Sequence, residues 1–130
     1  MINNHTSFEL KKIYEDKIYG IYKDVPPSKI NAKSSQGFST SQDFAGGPEG
    51  WLVYTFDEQY NIIMYWQNFY TEHNKGFISF IPITVNLEIQ NLRRYTKQGN
   101  IIELQNNFIC NATVGSGFQK AEYIYTIMRM

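Results

Sequence analysis

The chain has 130 residues, with 12 Lys plus Arg and 12 Asp plus Glu, so its formal net charge is zero at pH 7. This length suits one domain that spans residues 1–130. Because positive charge is not in excess, nucleic acid is not an expected partner. The lack of net repulsion near neutral pH instead predicts self-association or crystal formation.

Aromatic residues make up 16% of the chain, including ten Tyr and nine Phe, and this composition favours strands. Cys110 is the single cysteine, so we expect no intrachain disulfide. No secretory signal is predicted, and no apolar run approaches the roughly 20 residues of a transmembrane helix. We therefore expect the protein to be made in the cytoplasm of the producing cell.

The first third of the chain predicts short strands. Residues 7–14 alternate in polarity and residues 15–17 are charged, so a first hairpin with residues 18–22 is predicted. Pro26 and Pro27 predict a loop before a short strand at residues 29–33, because proline donates no ladder hydrogen bond. Residues 34–50, rich in Ser, Gly, Gln and Asp, predict a surface loop or a succession of tight turns.

The central stretch predicts a hairpin with aromatic residues on both arms. A Gly-Pro turn at residues 46–50 opens one strand, the polar residues 57–59 reverse the chain, and residues 60–66 form the second strand. The rest of the chain is organised around this hairpin.

The remaining segments also predict strands. Residues 77–90 alternate between apolar and polar, with Pro82 indicating an edge strand or a bulge, and they are expected to form a long hairpin with residues 101–110. No amphipathic helix is expected. Residues 112–119 predict a Gly-rich loop and residues 123–128 a closing strand. The predicted fold class is all-β, a single-domain antiparallel β-sandwich or barrel.

With these elements in place, the sequence resembles the aegerolysin-like family, in particular the small component of the two-component insecticidal crystal toxins of spore-forming bacteria. The resemblance rests on the order and spacing of short motifs spread over the chain. These motifs are Ile2 to Thr6 with Phe8 and Leu10, Ile30 with Ser35 to Phe38, Gly47 to Gly50 with Tyr54, Tyr65 to Tyr70 with Asn74, Gly115 to Gly117, and Tyr125 to Ile127.

Membership would imply a compact β-sandwich that recognises a membrane lipid or a surface receptor on the target cell. It would also imply a larger protein partner that forms the pore, and release of the protein, stored as a crystal inclusion, to act on target membranes. Residues 66–70 lack the acid and the proline that the family tends to carry there. Residues 77–113 are longer than in the small toxins and are expected to add a hairpin or an interface.

The candidate binding residues are aromatic, with one acid beside them. Trp66, Phe69 and Tyr70 are predicted to form an exposed platform for a lipid headgroup or a sugar. Trp51 and Tyr54 are also candidates for this platform, but burial in the core is the preferred interpretation for both. Glu49, like Asp43, could accept a hydrogen bond from a ligand, but bonding to its own turn is the preferred interpretation.

No catalytic, metal or cofactor site is predicted. His5 and His73 have no ligand at metal-binding spacing and are expected to be surface residues, and Cys110 is expected to be a buried thiol. Because no acid–base pair or nucleophile triad can be assembled, an enzyme is not expected. The alternative to a toxin component is a non-lytic, lectin-like module that binds carbohydrate or protein.

Overall fold

The computed structural model describes residues 1–41, 48–68, 74–98, 103–104, 107–114 and 123–129. Within these ranges it contains twelve strands and one helix. In chain order they are β1 (Ile2–Asn4), β2 (Leu10–Tyr19), β3 (Ile21–Asp24), β4 (Lys29–Ile30), β5 (Ser34–Gln36), β6 (Ser39–Ser41), β7 (Glu49–Thr55), β8 (Tyr60–Gln67), β9 (Lys75–Pro82), α1 (Ile89–Gln98), β10 (Glu103–Leu104), β11 (Phe108–Val114) and β12 (Tyr123–Arg129).

The strands form two five-stranded sheets and one small pair. Sheet I has the order β10-β11-β12-β1-β5, sheet II has the order β4-β2-β7-β8-β9, and β3 pairs with β6. Neighbouring strands are antiparallel, apart from β1 and β12, which run parallel. The predicted all-β sandwich is confirmed.

The main hydrophobic core lies between the two sheets. Sheet I contributes residues such as Ile2, Tyr125 and Ile127, and sheet II contributes residues such as Leu10 and Phe80, all fully buried. Because side chains alternate across a strand, every second residue along much of β8, β9, β11 and β12 reaches this layer. We call this layer the inter-sheet core.

The predicted central hairpin is confirmed. Strands β7 and β8 pair without interruption, from Glu49 opposite Gln67 to Thr55 opposite Asn61. Asp57 closes the turn between them, because its Oδ1 accepts hydrogen bonds from the backbone N–H groups of Gln59 at 2.8 Å and of Tyr60 at 2.7 Å. Such an Asp-to-backbone bond is a common device of tight turns.

The predicted strand at residues 77–90 is only partly right. Strand β9 ends at Pro82, at the edge of sheet II as the proline indicated, and residues 83–88 lead into α1. The expectation that no amphipathic helix forms is therefore wrong, and the long hairpin with residues 101–110 is wrong as well. Leu92 is fully buried against sheet II while the adjacent Arg93 is exposed, which is the one-sided burial of a surface helix.

The predicted first hairpin is also wrong. Strand β2 continues through residues 15–17, because Asp16 pairs with Trp51 and Lys17 pairs with Gly50 of β7. Two register shifts, between Lys12 and Tyr14 and between Lys17 and Tyr19, bend this long strand. Strand β3 pairs with β6 instead, so the predicted loop at residues 34–50 contains the strands β5 and β6.

The other local predictions agree with the structure where it describes the chain. The short strand after Pro27 is β4, and the closing strand is β12. Residues 112–114 of the predicted loop belong instead to β11, which extends to Val114, and residues 115–119 lie outside the described residues. In the described part of the chain, no helix has the length and apolar character needed to cross a membrane.

Candidate functional site

Trp66 is buried, with 1% of its surface exposed, so the prediction that it forms part of an exposed platform is wrong. Its side chain enters the inter-sheet core at the end of β8. There the ring centroid of Phe38 lies 5.1 Å away and that of Tyr22 lies 6.4 Å away. We call these three residues the Trp66 cluster.

The Trp66 cluster carries two buried polar atoms that no described residue satisfies. These are the Trp66 indole Nε1 and the Tyr22 hydroxyl. Burial raises the pKa of Tyr22 above its usual value, and the nearby carboxylates of Glu15 and Asp16 raise it further. The Lys17 ammonium lies 5.3 Å from the centre of the Tyr22 ring. The cluster is therefore a packed end of the core with the Tyr22 hydroxyl kept neutral.

Trp51 and Tyr54 are buried, as expected for core residues. Tyr54 lies in the inter-sheet core, and its hydroxyl donates a hydrogen bond of 2.7 Å to the Pro27 carbonyl oxygen. Trp51 has the opposite orientation and lies on the outer face of sheet II. Phe69 and Tyr70, the other two residues of the predicted platform, lie outside the described residues, as do Asp43 and His73.

Glu49 is not a turn residue bonded to its own backbone, which was the preferred interpretation. It is the first residue of β7, 7% exposed, and its Oε2 accepts a hydrogen bond of 2.5 Å from the Tyr65 hydroxyl. The Gln67 Oε1 lies 2.6 Å from the same hydroxyl. Trp51 and Tyr65 are directly opposite each other on β7 and β8, with ring centroids 4.8 Å apart.

Arg93 of α1 completes this group of side chains. Its guanidinium carbon lies 5.5 Å from the centre of the Trp51 ring, and its Nη2 lies 3.9 Å from Glu49 Oε1. The Arg93 side chain is 51% exposed, whereas that of Glu49 is 9% exposed. We call Glu49, Trp51, Tyr65, Gln67 and Arg93 the Trp51 cluster.

Burial governs the electrostatics of the Trp51 cluster. The pKa of Tyr65 is raised, first by burial and then by its hydrogen bond to Glu49, while Arg93 acts in the opposite direction. The phenol therefore remains a hydrogen-bond donor to the carboxylate. The sequence prediction misses Arg93 because it expects no helix between residues 90 and 101, although the spacing of Ile89, Leu92 and Tyr95 fits a helix.

Two tyrosines of β12 tie sheet I to the same end of β8. The Tyr125 hydroxyl donates a hydrogen bond of 2.5 Å to the Tyr65 carbonyl oxygen, and the Tyr123 hydroxyl donates one to the Gln67 carbonyl oxygen. These bonds cross between the sheets and hold the end of β8 that carries both clusters. The two clusters therefore lie at one end of the molecule, on opposite faces of sheet II.

His5 and Cys110, two side chains with metal-binding or nucleophilic chemistry, lie within the described residues. Among the described residues, no three His, Cys, Asp or Glu side chains lie close enough together to hold a metal ion. His5 is exposed, as expected for a surface residue. Cys110 is buried, as expected, and burial raises the pKa of its thiol to about 12. A thiol with so high a pKa is a poor nucleophile at neutral pH.

No protein-family model matches the chain, and no curated protein matches it. Among solved structures, it is similar to the crystal structure of the lipid-binding protein Nakanori, with a TM-score of 0.79 and 15% sequence identity. The similarity covers 98% of this chain and 68% of the Nakanori chain. At this identity the likeness concerns the fold. The chain therefore shares the fold of the lipid-binding protein Nakanori.

Proposed function

We propose that the protein binds a lipid of a target membrane. The observation that carries this proposal is the fold that 98% of the chain shares with a lipid-binding protein. The resemblance of the sequence motifs to the aegerolysin-like family supports the same conclusion.

The Trp51 cluster is the described surface best suited to a headgroup. Arg93 is its solvent-exposed group, with a side chain that is 51% exposed and a guanidinium next to the buried carboxylate of Glu49. A guanidinium forms strong, paired hydrogen bonds with phosphate oxygens, so a phospholipid headgroup fits this position. Trp51 lies beneath the guanidinium and orients it by a cation–π contact. Phe69 and Tyr70 remain predicted members of the contact surface.

The more specific proposal is a docking role in a two-component toxin. In this role the chain binds the lipid or a surface receptor, and a larger protein partner forms the pore. The resemblance to the small insecticidal crystal proteins supports this role. Zero formal net charge supports storage of the protein as an inclusion in the producing cell.

Co-sedimentation with phosphatidylcholine vesicles, with and without phosphatidylserine, tests lipid binding. We expect the wild type to bind and Arg93→Gln to bind more weakly, because it loses the exposed cation of the Trp51 cluster. Lys29→Gln is the matched control, because Lys29 is an exposed cation on the edge strand β4, outside the Trp51 cluster. If Arg93→Gln binds the vesicles as well as Lys29→Gln does, Arg93 does not contact the lipid.

A dye-release assay and a glycan screen test the more specific role. The chain by itself is expected to bind vesicles without releasing an entrapped dye. Release by the chain alone would contradict the need for a larger partner. Binding to a glycan, with no binding to any vesicle, would replace the proposal with the lectin-like alternative.

A further inference from the structure

Helix α1 covers an aromatic face of sheet II that the inter-sheet core does not use. This face consists of Trp51, Val53, Ile63, Tyr65 and Ile81, each at most 8% exposed. Leu92 of α1 packs fully buried against it, together with the partly buried Tyr95. We call these five sheet residues the outer face. Leu87, in the segment that leads into the helix, packs against the same face, and sheet I lies on the opposite side of the strands.

The polar attachment of α1 to the sheet is weak. Among the described residues, the ion pair that connects the helix to the sheet joins Arg93 to Glu49 at 3.9 Å, and half of the arginine side chain is exposed. The side-chain hydrogen bonds of the helix are local: Asn91 Nδ2 donates to the Asn86 carbonyl oxygen and Thr96 Oγ1 donates to the Arg93 carbonyl oxygen. Exposed ion pairs contribute little to stability, so apolar packing holds the helix in place.

The outer face carries a polar group that the docked helix does not satisfy. The Trp51 indole Nε1 is buried and has no hydrogen-bond acceptor among the described residues. A buried donor without an acceptor disfavours the state in which it is buried. Displacement of α1 would allow this N–H group to meet water or a lipid oxygen.

The β-sandwich does not depend on α1 for its main core. The inter-sheet core is built from strand and loop residues of both sheets, and no α1 residue belongs to it. The fully buried residues Ile2, Leu10 and Tyr125 illustrate a layer that is complete without the helix. Loss of the helix contact would therefore expose one face of sheet II and leave the sandwich folded.

We infer that α1 is a displaceable cover, and that the outer face beneath it contacts the membrane interface when the helix moves away. This inference rests on the proposed lipid binding and adds the surface and the conformational step. Trp and Tyr side chains favour the headgroup region of a bilayer, because they combine an apolar ring with a polar group. Displacement of α1 ends the contacts of Arg93 with Trp51 and Glu49, so headgroup binding by the intact Trp51 cluster precedes this step. The displaced helix would then present Arg93 and Arg94 to headgroup phosphates, and the lipid interface would shield the uncovered outer face from water.

Fluorescence quenching by brominated lipid tests the inference, because Trp51 and Trp66 are the two tryptophans of the chain and lie on opposite faces of sheet II. The probe is a vesicle of phosphatidylcholine and phosphatidylserine with bromine on the acyl chains. We expect the bound wild type to lose a large part of its emission. Trp51→Phe, compared per bound molecule, should lose almost none, because Trp66 stays in the inter-sheet core.

Three outcomes of this experiment overturn the inference. Unquenched emission from bound wild type would show that Trp51 remains covered. Equal quenching of Trp51→Phe and the wild type would show that lipid contacts Trp66 instead. Failure of the wild type to co-sediment with any vesicle would overturn the proposed function and this inference together, whereas the first two outcomes leave lipid binding intact.

A second variant tests the cover directly. Leu92→Ala removes the buried anchor of α1. The lipid concentration at which half of the protein is bound should fall about tenfold, because the covered state loses stability. Ile30→Ala is the matched control, since Ile30 is fully buried in the inter-sheet core and its loss should not improve binding. If folded Leu92→Ala binds no better than the wild type, or if Ile30→Ala gains as much, α1 is not a displaceable cover.

Discussion

Trp66 lies across the backbone of Gly50, its partner on the neighbouring strand. The two residues pair directly between β7 and β8, and the indole occupies the space where a side chain at position 50 would stand. A Cβ atom placed there would lie 2.7 Å from Trp66 Cη2 and 2.8 Å from the Asp16 carbonyl oxygen. The absence of a side chain at Gly50 is therefore a condition for burying Trp66.

Gly50→Ala should destabilise the protein by about 1 to 3 kcal/mol, because the indole and the β2 backbone must both shift. The free energy of unfolding in urea measures the effect. Gly37→Ala is the matched control, since no heavy atom lies within 4 Å of a Cβ at that position, and a change within about 0.5 kcal/mol is expected. Equal stability of Gly50→Ala and the wild type would contradict the close contact.

Two tyrosine-to-phenylalanine variants should differ in the sign of their effect. Tyr54→Phe leaves the Pro27 carbonyl oxygen without its donor and should cost about 0.5 to 1.5 kcal/mol. Tyr22→Phe removes a buried hydroxyl with no partner among the described residues, so its stability should stay equal or rise. The denaturant concentrations at the unfolding midpoints of the two variants and the wild type measure these changes. A clear loss of stability in Tyr22→Phe would show that the Tyr22 hydroxyl is hydrogen-bonded.

Glu49 and Tyr65 should behave as a coupled pair. Tyr65→Phe leaves a buried carboxylate without its 2.5 Å hydrogen bond, whereas Glu49→Gln removes the charge. The double variant should therefore be more stable than the sum of the two single losses predicts, with a coupling energy of about 0.5 to 3 kcal/mol. A complete double-mutant cycle by urea unfolding measures it, and strict additivity would exclude the pair.

The protein should lose stability above pH 10. Burial raises the pKa values of Tyr54, Tyr65 and Tyr125 above the usual 10.0, and for Tyr65 the hydrogen bond to Glu49 adds to it. The folded state therefore keeps these protons while the unfolded chain releases them. The contribution of these tyrosines to stability is therefore constant below about pH 10 and falls above it, by about 1.4 kcal/mol per pH unit for each tyrosine ionised only in the unfolded chain.

Thermal midpoints followed by circular dichroism from about pH 8 to about pH 12 measure this loss. A midpoint that stays constant through pH 11 would contradict the raised pKa values. The raised pKa values of the buried tyrosines also affect how an assembly of the protein would respond to alkali. Alkali should dissolve an assembly largely together with unfolding, because the buried tyrosines do not ionise in the folded protein.

Local sequence patterns were sufficient for the elements that depend on neighbouring residues. The turn at residues 57–59 follows from an Asp that can bond the backbone two and three residues later, and the edge position of β9 follows from Pro82. The closing strand β12 follows from its β-branched and aromatic residues. In each case the physical cause lies within a few residues of the element.

The tertiary structure decided which aromatic residues are buried and where a helix forms. Strands β7 and β8 are buried on both faces, by sheet I on one side and α1 on the other, so alternation could not show that Trp66 points inward. Residues 83–89 alternate like a strand, yet sheet II ends at β9. After β9 the chain forms helix α1, and Leu92 of this helix is buried on the outer face. This contact joins residues that are far apart in sequence, so no local pattern could predict it.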